Sequence, residues 1–588
     1  MPRRDPTYVG RVRHVLGSQV TVELDSRLAG IAPIYRGQLQ QIGQIGSIVR
    51  IPQGLVDLVA TVTLVGISEL SGATAPTDSQ QPGERWLQVQ LLGEIDRGTG
   101  RFQRGVGSYP GLDDPVHFAR TEELAAVYPQ EGLGHIRIGS LSSAEGIPVV
   151  LDVNKLVVRH SAVVGSTGSG KTSAVASLLQ SFSGGLWPSA NIVVIDSHGE
   201  YKRAMGESAS VLSVLAQGER RLQVPYWALP AADILRAFAG TPGGPTTIKT
   251  WTTLVAESRR EFVRNAAWLD LDPVAVTADT PVPFDVRTVW YQLDSENRET
   301  RMVKGDPTTV CRTSTGDAGT LTPDGYEPNR PGSSAPYQGP NFGVHGSTPE
   351  LVRLGLLDPR LAFLLEPEGL PEGPDPLIGV IQSWVGKDKP VSVLDFNGVP
   401  TEAAELAIGV ILKLIFDVAI RTPHGDLGIG RPSPVLIVLE ESHRYLGESA
   451  APIAREAANR IAREGRKYGV GLMLVTQRPS DLPDTALAQC GTIIALRLSN
   501  SADQGKVRTA LPDTIAGLAE TLPSLRTGEA IISGEALILP TRVLLDRPHP
   551  LPLAEDPSLD AWRGTPVLPD IAPALSNWRG IYEEKNGS

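Results

Sequence analysis

The chain is predicted to be an α/β protein with a mainly parallel, doubly wound sheet, preceded by a small antiparallel β-barrel and carrying a helical and polar insertion. Three observations carry this. From about Leu151 apolar strands alternate with helical segments, the signature of a parallel sheet covered on both faces. The first hundred residues instead alternate short β-branched runs with turn residues. The interval from about 200 to 390, between the second and third apolar strands, is far longer than an ordinary crossover.

The barrel is read from runs at Tyr8–Val15, Gln19–Leu24, Ser47–Ile51, Leu58–Val65 and Trp86–Leu91. Gly17-Ser18 and Gly43 to Gly46 supply tight turns, and Ser71–Pro82 reads as an exposed polar loop. No constellation of reactive groups is visible in residues 1–130, so assembly or docking is the expected role.

The sheet domain is split into 131–225 and 389–550. Its strands are read at Ser161–Gly165, Asn191–Asp196, Val391–Asn397, Val435–Glu440, Gly471–Thr476 and Thr492–Leu498. Thr172–Phe182, Glu402–Ile420 and Pro452–Tyr468 have apolar residues at three- and four-residue spacing and read as covering helices. The insertion, 226–388, has helical flanks at Ala231–Ala239, Trp251–Trp268 and Leu351–Leu365. Its polar stretch, 305–342, is rich in Gly, Pro, Ser and Thr and is expected to be flexible or ordered only by a partner. Residues 551–588 form a C-terminal tail.

Composition narrows the function. With 41% hydrophobic and 20% charged residues the chain is globular, and no apolar run reaches the roughly 18 residues a membrane span needs. The start lacks a secretory pattern, so a cytoplasmic location is expected. Cys311 and Cys490 alone exclude a disulfide framework or a thiolate-rich metal site. A net charge of -11 excludes a surface that binds nucleic acid all over, so any such binding needs positive charge concentrated in a channel.

Gly165-Ser-Thr167-Gly168-Ser169-Gly170-Lys171-Thr172 fits G-x-x-x-x-G-K-[ST] between an apolar strand and a helix. The glycines let the backbone wrap a phosphate, and the exposed N–H groups and helix start, with Ser173 in its first turn, attract its charge. Lys171 is placed to reach the β- and γ-phosphates of ATP, and Thr172 to offer its hydroxyl to Mg²⁺. A second element, Val435-Leu-Ile-Val-Leu439-Glu440-Glu441, ends an apolar strand in two acids. Glu440 is expected in the Mg²⁺ shell, directly or through water, although Asp is usual there, and Glu441 is expected to polarise the attacking water.

Three further clusters follow strands whose ends share one edge of a parallel sheet. In Asp196-Ser-His-Gly-Glu200-Tyr201, Asp196 or Glu200 joins the Mg²⁺ and water network, or the residues simply cap a turn. In Thr476-Gln477-Arg478-Pro479, Gln477 senses the γ-phosphate or forms a turn. Arg460-Ile-Ala-Arg463-Glu-Gly-Arg466-Lys467 is a basic helix end, and Arg463 or Arg466, with Arg159 as another candidate, is expected to reach a neighbour's γ-phosphate.

The motifs H-S-A-V-V-G-S-T-G-S-G-K-T, V-I-D-S-H-G-E-Y, L-E-E-S-H-R-Y-L, R-E-G-R-K-Y-G-V-G-L and T-Q-R-P, in this order behind a leading barrel, resemble the HerA family. Gly528–Ala530 through Pro540–Arg542 is similar to that family's closing strands. The resemblance implies a RecA-like P-loop ATPase that assembles as a homo-hexamer and threads double-stranded DNA as a translocase or helicase. It also implies a partner, either a nuclease of the NurA kind or an antiphage effector such as a sirtuin-like protein. An ATP-bound scaffold that recruits and switches an effector without moving DNA is the alternative.

Overall fold

Six antiparallel strands close on themselves at the start of the chain: β1 (Tyr8–Leu16), β2 (Gln19–Leu24), β3 (Ile48–Gln53), β4 (Val56–Ile67), β5 (Arg85–Asp96) and, after a short β6 (Phe102–Arg104), β7 (Pro115–Phe118). In this computed structural model their order is β2-β1-β7-β3-β4-β5, and pairing of β2 with β5 closes the barrel. Val20, Val22 and Leu24 point inward between Gln19, Thr21 and Glu23, which is the period of two that a closed barrel needs. The structure describes residues 5–578 except 27, 29–33, 36–37, 40–43, 68–84, 121–122, 125–126, 129–131, 133, 145, 215, 217–219, 241–242, 331–333, 359–360, 366–374, 386–387, 426, 449, 513–514, 554–559 and 565–567. The polar loop read at Ser71–Pro82 lies outside the described residues.

An eleven-stranded sheet follows. Its strands are β8 (His135–Leu141), β9 (Pro148–Asp152), β10 (Ser161–Val164), β11 (Asn191–Asp196), β12 (Ser210–Ser213), β13 (Val391–Asp395), β14 (Val435–Leu439), β15 (Val470–Thr476), β16 (Thr492–Leu496), β17 (Glu529–Gly534) and β18 (Thr541–Leu545). The order is β9-β8-β18-β17-β16-β10-β15-β14-β11-β13-β12. From β16 to β12 every pairing is parallel, whereas β17, β18, β8 and β9 extend the sheet antiparallel.

The parallel strands are buried on both faces, and alternate residues enter two different cores. Val193, Ile195, Ile437, Leu439, Leu472 and Leu474 join one. Ile192, Val194, Leu436, Val438, Met473 and Val475 join the other, which also takes in Ile48, Val59 and Leu92 of the barrel. Each such side chain stabilises the fold by roughly 1.5–3 kcal/mol on burial. The helices α1 (Val153–Val158), α2 (Lys171–Ser183), α3 (Tyr201–Met205), α9 (Thr401–Arg421), α10 (His443–Leu446) and α11 (Pro452–Tyr468) connect these strands or cover them.

The insertion between β12 and β13 contains α4 (Ala231–Ala239), α5 (Pro245–Asn265), α6 (Val286–Arg298), α7 (Thr348–Leu357) and α8 (Pro376–Trp384). Its centre is apolar but holds one fully buried cation, Arg259, whose guanidinium donates to the carbonyls of Trp227 and Leu229 at 2.7 Å and to that of Ala278. The polar stretch 305–342, expected to be flexible, is instead tied to α6 in its described part. The Asp324 carboxylate accepts from Tyr291 Oη at 2.5 Å, Ser295 Oγ at 3.1 Å, Tyr326 Oη at 3.0 Å and the Gly316 amide at 2.8 Å. Arg312 pairs with it at 3.1 Å, so hydrogen bonding orders a segment that lacks apolar residues. Among the described residues no helix is long and apolar enough to cross a membrane.

Candidate active site

Because β10, β11, β14, β15 and β16 run parallel, the residues that follow them meet along one edge. Gly165–Gly170 wraps over that edge between β10 and α2, with Gly168 at φ 72° and Gly170 at φ 100°, conformations that favour glycine. A Cβ at Gly165 would lie 2.5 Å from Ser169 Oγ and 2.9 Å from Leu496 Cβ. The loop is pinned on both sides. Ser166 N donates to Arg497 O at 2.8 Å, and Gly528 N donates to Ser169 O at 3.0 Å.

Lys171 is largely withdrawn from water, and burial pulls its pKa below the ordinary lysine value, while the carboxylates of Glu441, Glu440 and Glu200 act in the opposite direction. The lysine therefore stands in the field of all three acids. Thr172 Oγ1 donates to Glu200 Oε2 at 2.8 Å, and Thr167 Oγ1 donates to Gln477 Oε1 at 2.7 Å. Ser173 lies one residue further along α2.

The strand order explains the second contact. β15 lies between the phosphate-loop strand β10 and the acid strand β14, so its end places Gln477 between loop and acids. Glu440 is buried and accepts a hydrogen bond from Tyr201 Oη. Burial, with Asp196, Glu200 and Glu441 as neighbouring charges, pushes its pKa up to about 8. Glu441 turns the chain at φ 49°, a left-handed conformation that costs a non-glycine residue on the order of 1 kcal/mol.

Asp196, read as joining the Mg²⁺ and water network or capping a turn, anchors the following turn here. Oδ1 accepts from the amides of His198, Gly199 and Glu200 at 2.9–3.2 Å and Oδ2 from that of Tyr201 at 3.0 Å. These four amide bonds hold Glu200 and Tyr201 in place. Burial raises the pKa of Asp196 to about 6.

The structure does not bring the candidate arginines to this edge. Arg159 precedes β10, at the end of the strand remote from the phosphate loop, and pairs with Glu535. Arg463 and Arg466 are exposed on the C-terminal half of α11, which leads back to the start of β15. Ser499, whose amide donates to Ser166 Oγ at 3.0 Å, Tyr201 and Gly528 support the site through contacts made by chain folding alone, which no local motif signals.

Among the described residues no cluster of three or more His, Cys, Asp or Glu forms a ready cage for a metal ion. The oxygens of Thr172, Glu200 and Glu440 nevertheless suit Mg²⁺, which takes most of its ligands from phosphates and water in such sites.

A phosphate-binding loop on a parallel strand, an acid pair two strands away and a polar residue on the strand between them define a P-loop ATPase. The sequence matches the family descriptions "Helicase HerA, central domain" over residues 136–309 and "Helicase HerA-like C-terminal" over 409–539. It is 28% identical over 464 residues to a Methanocaldococcus jannaschii protein named "Probable helicase MJ1565", covering 78% of this chain and 76% of that one. It is 25% identical over 482 residues to the DNA double-strand break repair helicase HerA of Saccharolobus solfataricus, covering 80% of each. VirB4 of Thermoanaerobacter pseudethanolicus superposes with a TM-score of 0.45 at 14% identity, over 71% of this chain and 98% of that one. The chain belongs to the HerA family.

Proposed function

We propose that this ATPase is a translocase or helicase that moves double-stranded DNA, powered by ATP and Mg²⁺, within a homo-hexameric ring. The observation that carries the reading is the convergence of Lys171, Thr172, Glu200, Glu440, Glu441 and Gln477 on one sheet edge. Relatives over most of the chain are named as DNA repair helicases, which favours DNA over a small-molecule substrate. An acidic chain suits a ring whose positive charge is confined to a channel.

Lys171 would bind the β- and γ-phosphates, and Thr172 and Glu440 would hold the metal, directly or through water, with Glu200 bonded to Thr172 beside them. Mg²⁺ supplies charge neutralisation on the phosphate oxygens. Glu441 orients and polarises the attacking water, and Gln477 reads the γ-phosphate from the intervening strand. A ring also supplies what one subunit lacks, since Arg463, Arg466 or Arg159 can meet a phosphate only across a subunit boundary. In this reading the barrels form a collar that docks a nuclease or antiphage effector in the cytoplasm.

The test is steady-state hydrolysis with and without duplex DNA, alongside native mass measurement with ATP and Mg²⁺. Duplex DNA should raise turnover of a six-subunit species, and Glu441→Gln should abolish turnover while sparing assembly. Turnover indifferent to DNA, or a strict monomer with nucleotide bound, would overturn the reading.

A further inference from the structure

One end of β15 faces two ways. Its residue Gln477 meets the phosphate loop through Thr167. The residue before it, Thr476, is fully buried and meets His443, with Thr476 Oγ1 and His443 Nδ1 3.0 Å apart. The same Nδ1 lies 3.3 Å from Glu441 Oε2. A ring-nitrogen lone pair facing a carboxylate at that distance would be repelled, which favours the tautomer with the proton on Nδ1, in reach of Thr476 Oγ1 and facing the acid.

Glu441 itself is unusual. Its backbone is in the left-handed region, and its Oε2 is buried without a hydrogen bond of good geometry. Buried carboxylate oxygens are ordinarily paired, so an orphan invites a functional explanation. Water poised to attack a phosphate would complete this atom's bonding, provided that the carboxylate is held still. The imidazole is the group placed to hold it, and Thr476 holds the imidazole. Thr476 is in turn fixed by the Arg478 amide, which donates to its Oγ1 at 3.0 Å.

We propose that His443, anchored by Thr476, is a positioning residue that fixes the Glu441 carboxylate for water activation and links it to the strand end that carries Gln477. This rests on the reading of Glu441 as the water-polarising group. His443 touches neither phosphate nor water in this role.

The experiment compares His443→Ala, His443→Asn and Thr476→Val in the full-length protein with saturating Mg²⁺. ATP binding is followed with a fluorescent analogue and thermal melting serves as a control. His443→Ala should lower kcat about 10- to 100-fold, the scale of losses from misplacing a catalytic group, while KM and nucleotide affinity stay within about twofold. His443→Asn, whose amide can still donate to the acid, should recover most of the rate. Thr476→Val should give a smaller fall of the same kind.

An unchanged kcat in His443→Ala overturns the proposal. So does a loss that appears in KM alone. If Glu441→Gln itself hydrolyses ATP normally, the underlying assignment fails instead, so the two failures are distinguishable.

Discussion

The hydroxyl of Thr172 donates to the carboxylate of Glu200 at 2.8 Å, joining the phosphate loop to the turn after the second parallel strand. The pair is held from behind by Asp196, which accepts from that turn's amides. Both partners offer hard oxygens where a magnesium ion is expected.

Glu200→Ala should therefore raise the Mg²⁺ concentration needed for half-maximal hydrolysis by about 10- to 100-fold, as loss of a supporting ligand partner does. Thr172→Ala should do so more strongly. A magnesium titration of ATPase rate measures both, and identical curves for wild type and Glu200→Ala would remove Glu200 from the site.

Glu440 predicts a pH dependence of stability without nucleotide. Its pKa is about 8 in the folded protein against 4.5 for an ordinary glutamate. Between these values the unfolded chain has released the proton while the folded one retains it, so stability falls as pH rises through that window and levels off above it. Glu440→Gln should flatten this fall. Melting temperatures at pH 5 and pH 8 give the answer, and equal slopes for the two proteins would refute it.

Glu529 has no exposed side chain and is gripped by Arg542 at 2.7 and 2.9 Å. Burial opposes its ionisation, yet Arg542 and the Arg526 amide hold its pKa down to about 2. Arg542→Ala should destabilise the fold by about 3–5 kcal/mol, the scale for stranding a buried charge. The double variant with Glu529→Gln should be milder. Denaturant unfolding that shows less than about 1 kcal/mol for Arg542→Ala would place the pair among surface ion pairs.

Asp324 should govern the order of its segment. Asp324→Ala strands several donors, each costing about 1–3 kcal/mol when left buried and unpaired. Hydrogen exchange should then rise across 312–326 while α9 and α11 remain protected. Unchanged exchange in that segment would show that other contacts order it.

How much of this was legible depended on what holds each piece. The apolar strands β10, β11, β13, β14, β15 and β16 and the helices α9 and α11 lie within two residues of the expected bounds, because continuous apolar runs and three-to-four spacing leave few alternatives. β7, four residues long, and β12, Ser-Val-Leu-Ser, carry too little pattern to stand out and exist because neighbours pair with them. The stretch 305–342 misled by composition, since its order rests on side-chain hydrogen bonds around Asp324, which no periodicity reports. The phosphate loop and acid pair were legible as local motifs. Tyr201 and His443 were not, because their contacts join residues brought together by the order of strands.

Gly528 donates to Ser169 in the phosphate loop and accepts from Leu545, and the next residue, Asp546, bonds back to Ile138. A main-chain seam thus runs from the nucleotide cradle into the outer hairpin, whose core the barrel shares. Such a stitched border has little slack. The cradle and the barrel are thus joined through main-chain hydrogen bonds and a common core.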